Sequence, residues 1–260
     1  MRHFHILAGT GVLLAASAVA QQKTAAHPDL SGTWYSSSPL AGATLKQEVN
    51  GTISFKKIDR SDSAASRREV PGALPSTREP AYKPELQAKV KDLLDHESKT
   101  DPVFYCQRPG TPRIGPPRRV VQLPNELIFL YEDASGDVYR VIPTDGRAHR
   151  ANANPSYYGD SVGHWEGDHL VVDSRGFVDD TWFGEGGYFH TEAMHVTERL
   201  WRVGENLAYQ VTVEDPNVLT APWTAPARVV TPSTDALEES PKCVEEDAHR
   251  LQNNDHHPQR

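Results

Sequence analysis

From residue 118 onward, turn signals interrupt the chain every few residues, and that spacing leaves room for little except short strands. Arg118 to Leu123 reads as a strand, Pro124-Asn125 as a turn, and Glu126 to Glu132 as the next strand. Ala134-Ser135-Gly136 then turns the chain into Asp137 to Ile142. After a loop rich in Pro and Asn (143 to 158), Ser161 to Trp165 and His169 to Ser174 form a hairpin around Gly167-Asp168. A Gly-rich loop (176 to 190) leads to His195 to Val203, Gly204-Glu205-Asn206 turns it into Leu207 to Glu214, and a last strand lies near Trp223 to Val230. Apolar runs this short, bounded by Gly, Pro, Asn and Asp, are strands joined by tight connections. The 20 prolines and 18 glycines agree with a turn-rich chain. With no β-α-β alternation, these strands fit best into one antiparallel barrel or sandwich.

The first half is more loosely patterned. Residues 21 to 29 read as a lead-in, and Ser31 to Tyr35 as a short first strand anchored by Trp34. Residues 56 to 80 lack periodicity and read as a loop or extended wrap. One helix is expected over 84–98, where Leu86, Val90, Leu93 and Leu94 make an apolar stripe that Pro102 ends. The domain plan is therefore a leader over 1–20 and one β domain over 21–260. That domain holds the helix at 84–98, a meander over 118–230 and a flexible tail over 244–260.

The leader rests on Arg2, an apolar run from Ile6 to Ala16, and Ala18-Val19-Ala20 before Gln21, the layout of a secretory signal peptide cleaved after Ala20. The apolar run is too short to span a bilayer, so no membrane span is expected. Periplasmic or secreted localisation follows. Export places Cys106 and Cys243, the two cysteines, in an oxidising compartment. A disulfide between them would tie the C-terminal segment to the middle of the chain and add on the order of 4 kcal/mol by the chain-entropy argument. A net charge of −8 without a dense Lys/Arg run argues against a nucleic-acid partner.

Chemistry-bearing residues crowd into 149–199. Gly159-Asp160-Ser161-Val162-Gly163 matches the nucleophile-elbow pattern, but an elbow needs a helix after its serine and a hairpin follows here. Ser161 remains a candidate site residue without being an acyl-transfer nucleophile. His149, His164, His169, His190 and His195 fall in this stretch, together with Glu166, Asp168, Glu192 and Glu198. They can serve as acid/base groups or metal ligands. No cofactor is expected, and a divalent metal held by histidines is compatible with this set. Alternation along the strands places Glu198 on one face with Val196 and Leu200, and Glu132 with Ile128 and Leu130. A carboxylate facing an apolar layer must be paired or become a usable acid, and Arg140 and Arg199 are the available partners. Tyr157, Tyr158, Trp165, Trp182, Phe183, Tyr188 and Phe189 add the rings that a pocket for an apolar or aromatic molecule requires.

The chain resembles a family of secreted bacterial proteins of similar length with no established activity. The resemblance rests on Ser-Gly-Thr-Trp at 31–34, Cys106 with the Pro-Gly-x-Pro-Arg run at 109–113, and the string G-D-S-V-G-H-W-E-G-D-x-L-V-V-D at 159–173. It extends to the H-x-E-A-x-H-V-x-E-R stretch at 190–199, Asp215-Pro216 with Pro222-Trp223-Thr224, and Cys243. It implies export and a shared architecture. His169 and Ser174 depart from it, where threonine is expected. The opening Gly-x-Trp is also similar to the first-strand signature of lipocalins, which raises an up-and-down, lipocalin/calycin-like β-barrel with one external helix and long wrapping loops above a two-sheet sandwich.

Two functions fit these observations. One is an exported enzyme acting on an apolar or aromatic small molecule in a barrel-mouth pocket, by a lyase, isomerase or hydrolase step. His164 and His195 would move protons, Glu198 or Asp160 would orient them, and Tyr158, Trp165, Ser161, His190 and Trp182 would contact substrate. The other is a periplasmic, lipocalin-like binding or carrier protein without catalysis, including a metal-binding form.

Overall fold

The computed structural model describes residues 27–35, 43–47, 53–57, 70–133, 135–240 and 242–244. The leader at 1–20, the sequon at Asn50 and the tail beyond 244 lie outside the described residues. The strands are β1 (Gly32–Tyr35), β2 (Ala43–Gln47), β3 (Ile53–Lys57), β4 (Arg119–Gln122), β5 (Glu126–Tyr131), β6 (Val138–Pro143) and β7 (Asp160–Glu166). They continue with β8 (His169–Arg175), β9 (Trp182–Gly184), β10 (Tyr188–Phe189), β11 (His195–Val203), β12 (Asn206–Glu214), β13 (Trp223–Thr224) and β14 (Arg228–Ser233).

The protein is mainly β, with antiparallel pairing throughout its named strands. The main sheet runs β6-β5-β4-β1-β14-β12-β11-β8-β7, with β13 attached to β12, while β2–β3 and β9–β10 form separate hairpins. Chain order is thus kept in two meanders, and β1 joins them by pairing with β4 on one side and β14 on the other. The β7–β8 and β11–β12 hairpins each close on two residues, Gly167-Asp168 and Gly204-Glu205. In both, a glycine at positive φ (+61° and +59°) comes first, the arrangement that follows strand twist.

Alternation sorts the residues into an inner and an outer face. Leu127, Phe129 and Tyr131 on β5, Ile142 on β6, Leu170 and Val172 on β8, Val196 and Leu200 on β11, and Val211 and Val213 on β12 are buried together inside. Trp34 belongs to this layer, with its indole N–H donating to the Leu30 carbonyl (3.2 Å). The two ends of the sheet come together. A Cβ on Gly163 of β7 would lie 2.9 Å from Ile142 Cγ2 of β6, so the sheet is rolled. Among the described residues, however, no ladder joins β6 to β7. Mainly antiparallel β architecture is therefore established, and barrel closure is not.

The expected helix is broken up. Pro84–Leu86 is a 3-10 turn, α1 covers Gln87–Asp95 and α2 covers Glu97–Thr100, with the break at His96. Its apolar stripe receives the β9–β10 turn. Gly187, at φ +79°, approaches so closely that a Cβ there would lie 2.8 Å from Leu93 Cβ. Three further expectations are corrected. The 176–190 loop contains the β9–β10 hairpin, the last strand is split into β13 and β14, and Glu132 lies on the outer side with half-buried Ile128 and Leu130. There it accepts from Arg118 Nε (2.9 Å). Glu132 is turned outward because β5 buries the opposite parity, Leu127, Phe129 and Tyr131. Of the wrap expected over 56–80, residues 58–69 lie outside the described residues and 56–57 end β3; the described part passes over the outer face at Pro71, which accepts from the Trp201 indole (2.7 Å), and at Leu74, which is held by Gln210. Cys106 and Cys243 form a disulfide, with Cα atoms 5.7 Å apart.

Candidate functional site

A polar layer crosses the apolar interior. Arg140 of β6 and Glu198 of β11 are both buried and form two parallel hydrogen bonds, Nη1 to Oε1 (3.0 Å) and Nη2 to Oε2 (2.5 Å). Arg140 also donates to the hydroxyls of Tyr131 (3.2 Å), Ser161 (3.0 Å) and Ser174 (3.1 Å), and the Tyr209 hydroxyl donates to Glu198 (2.9 Å). Burial opposes the charge on Arg140, but Glu198 outweighs it and raises the guanidinium pKa. Burial raises Tyr131 and Tyr209 as well, reinforced for Tyr209 by Glu198, so both hydroxyls keep their protons. Every charge in this layer is paired, which is how a buried ion pair is tolerated.

Tyr209 and Val211 of β12 also line a cavity of about 840 Å³, together with Phe183, Tyr188, Trp223 and Ile114 and with Arg78, Arg113 and Arg228. Phe183, Tyr188 and Trp223 contact one another, with ring centroids 5.6 to 6.1 Å apart. No histidine lines this cavity.

Two histidines, His149 and His195, meet instead on the outer face, around a shared carboxylate. His149, from the β6–β7 loop, bonds Asp160 through Nδ1 (3.0 Å) and Asp173 through Nε2 (2.6 Å). Asp173 also pairs with His195 Nε2 and with Arg175 (3.0 Å), and His195 Nδ1 reaches Glu214 (3.2 Å). Strand register builds this row, since Asp160 and His195 both pair with Arg175 of β8. Burial would raise Asp173, but hydrogen bonds from His195 and His149 hold it far below the ordinary carboxylate range. The Asp173 hydrogen bond in turn raises His195, against the effect of burial. The row borders an open cleft of about 530 Å³ that also contains Arg150, Arg175 and Glu192. All four ring nitrogens of the two histidines are occupied by carboxylates, so neither presents a free lone pair.

The expected site residues are therefore divided among several places. His195 and Asp160 share the outer row. Glu198 and Ser161 lie in the interior layer with Arg140, as alternation along β11 implied. Tyr158 is buried, lines a third cavity of about 490 Å³ beside β6 and β7, and has its hydroxyl pushed up to about 12 by burial. His164 is exposed and bonds Glu166 (3.1 Å), about 13 Å along β7 from Asp160 at strand rise. Trp165 stacks on His27 (4.5 Å). His190 is buried, pairs with Thr181 (2.9 Å) and has its pKa lowered by burial, while Trp182 is buried with Arg113 above its ring. Glu198, His195, His164 and Tyr158 do not converge on one cavity. Among the described residues, no group of three or more His, Cys, Asp or Glu is disposed to hold a metal ion. No described helix is long and apolar enough to cross a membrane.

Sequence reasoning did not single out Asp173, Ser174, Tyr131 or Tyr209 as site residues. For the last three a usable signal existed, because each is a polar residue at an apolar-face position, the criterion that found Glu198. Comparison with family models, curated proteins and solved structures returned no match.

Proposed function

We propose that the protein is an exported binding protein for a small, largely apolar or aromatic molecule held in the mouth cavity of a lipocalin-type barrel. The carrying observation is the cavity of about 840 Å³ walled by Phe183, Tyr188, Trp223 and Ile114. That volume falls in the usual range for small-molecule sites, roughly 300–1,000 Å³. Strand order supports the barrel, since read cyclically from β1 it is chain order, interrupted only between β6 and β7. The Cys106–Cys243 disulfide supports export to a periplasmic or extracellular compartment. The resemblance to secreted bacterial proteins points the same way. The test is a titration with the neutral dye N-phenylnaphthylamine, followed by its fluorescence. Saturable one-to-one binding that is lost in Ile114→Trp, which fills the cavity, is expected. Absence of binding, or binding unaffected by Ile114→Trp, overturns the reading.

A second reading keeps the enzyme. Glu214, the partner of His195 Nδ1, is half-exposed, so a substrate entering the outer cleft can take its place. Asp173 would orient His195, whose raised pKa makes it a general acid near neutral pH for a lyase, isomerase or hydrolase step. Turnover of a bound ligand that survives both His195→Asn and Asp173→Asn removes this reading.

A further inference from the structure

We infer that the cavity of about 490 Å³ at the seam of β6 and β7 is a second ligand site, taking a neutral molecule that presents a carbonyl oxygen from an apolar or aromatic body. It shares no lining residue with the mouth cavity, so the two sites are independent. Alternation along β6 turns Tyr139 and Val141 out to solvent and Arg140 inward. All three line the cavity, as do Ser161 from the inner face of β7 and Val162 from its other face. The cavity therefore passes through the seam, where no ladder joins the two strands among the described residues, and reaches the polar layer from outside. Gly159, at φ +68° with no room for a Cβ beside Phe177 (2.8 Å), turns the chain into β7 and sets Tyr158 against that opening.

Two buried donors there have no partner among the described residues, the Tyr158 hydroxyl and Arg140 Nε–H. Both terminal nitrogens of Arg140 are committed to Glu198, Tyr131, Ser161 and Ser174, so Nε–H alone is left over. Tyr158 keeps its proton, since burial pushes its pKa up to about 12, and Arg140 is near enough to pull against that rise. A buried donor without an acceptor is costly, so two beside one cavity select an occupant with an acceptor oxygen. A carbonyl oxygen has two lone pairs and no proton of its own to place, and it can accept from either donor or both. The charges select against an ion. Arg140 is paired with Glu198, Arg147 with Asp145 (2.6 Å) and Arg150 with Asp160 (2.5 Å). An anion would have to displace one of these carboxylates, and a cation would find Asp160 taken. Exposed Tyr139 and Val141 offer a wall to the apolar body, and the volume lies within roughly 300–1,000 Å³, the usual range for small-molecule sites.

The experiment titrates three probes into the isotopically labelled, disulfide-bonded protein: acetophenone, its apolar isostere α-methylstyrene and the anion benzoate. Backbone amide shifts report where each one binds. Acetophenone should shift Val141 and Tyr158 to Val162 saturably, and bind about tenfold tighter than α-methylstyrene. Benzoate should bind more weakly than acetophenone. Tyr158→Phe removes a hydroxyl that has no partner, so it should leave the Tm unchanged, weaken acetophenone about fivefold and leave α-methylstyrene as it was. Val141→Trp, at an exposed position, should block all three probes. An alkene or an anion that binds as tightly as acetophenone overturns the inference, as does a ketone indifferent to both substitutions. Shifts confined to the surroundings of Phe183 and Trp223 overturn it while supporting the mouth cavity. No saturable shift at the seam means that the two donors face water only, which overturns it and leaves the mouth cavity to its own titration.

Discussion

Arg140 and Glu198 meet through two hydrogen bonds, of 3.0 and 2.5 Å, although the ladder places β6 at one end of the sheet and β11 near the other. Their contact spans the interior and shows that the sheet has curled over on itself. Removing one partner leaves an uncompensated buried charge. Arg140→Met or Glu198→Leu alone should cost about 3–5 kcal/mol, and the double variant much less than the sum of the two. Urea denaturation of the three variants measures this, and additive losses would show that the pair is not coupled.

The seam between β6 and β7 can be probed sterically. Gly163→Ala places a methyl 2.9 Å from Ile142 Cγ2 and 3.1 Å from Thr144 Cγ2. Because both neighbours are β-branched and stiff, the substitution should cost about 1–3 kcal/mol. Gly146→Ala meets no atom within 4 Å but sits at φ +81°, so it reports backbone strain alone. Thermal denaturation of the two separates overpacking from backbone cost.

The outer row makes stability depend on pH in both directions. Asp160 and Asp173 are held below their ordinary range, so their contribution is present above about pH 4 and fades as pH falls through the lowered values. His195 is raised, so its contribution is complete below about pH 6.5 and is lost as pH rises through the raised value. The row is therefore strongest between about pH 4 and 6.5. The Tm difference between wild type and His195→Asn should be largest in that window and shrink toward pH 8.5, and a flat difference would contradict this. Arg150, Arg175, Glu192 and Glu214 face the same groups, so each profile should be taken at two salt concentrations.

Reduction of Cys106–Cys243 should lower stability by about 2–5 kcal/mol, because the bridge closes most of the β region into one loop. Cys106→Ser with Cys243→Ser should reproduce the loss and abolish sensitivity to reductant in a denaturation series.

Local chemistry made much of this architecture legible. Gly167-Asp168 and Gly204-Glu205 sit between alternating apolar runs, and the hairpins follow from those turns alone. Glu198 between Val196 and Leu200 revealed the polar interior, and Arg140 was named as a partner on chemistry rather than position. The outer row was illegible for a different reason. His149, Asp173 and His195 meet only because β8 pairs with both β7 and β11 at a common residue, Arg175. That second register is set across the Gly-rich 176–190 segment, whose own hairpin sequence reasoning missed. Grouping five histidines by their nearness in sequence therefore joined His164 to His195, while the sheet holds them at different ends.

β1 carries a consequence for how the protein assembles. Thr33 pairs with Arg119 on one edge and with Ser233 on the other, so the first strand depends on partners drawn from the middle and from the end of the described chain. Both meanders can form by local zipping, but the strand that fastens them must wait until β14 is in place. Contacts this distant in sequence slow folding by the entropy of closing long loops. Until that moment β4 and β14 each present an unsatisfied edge, so the most aggregation-prone species of this protein should be one in which everything except its first strand has already paired.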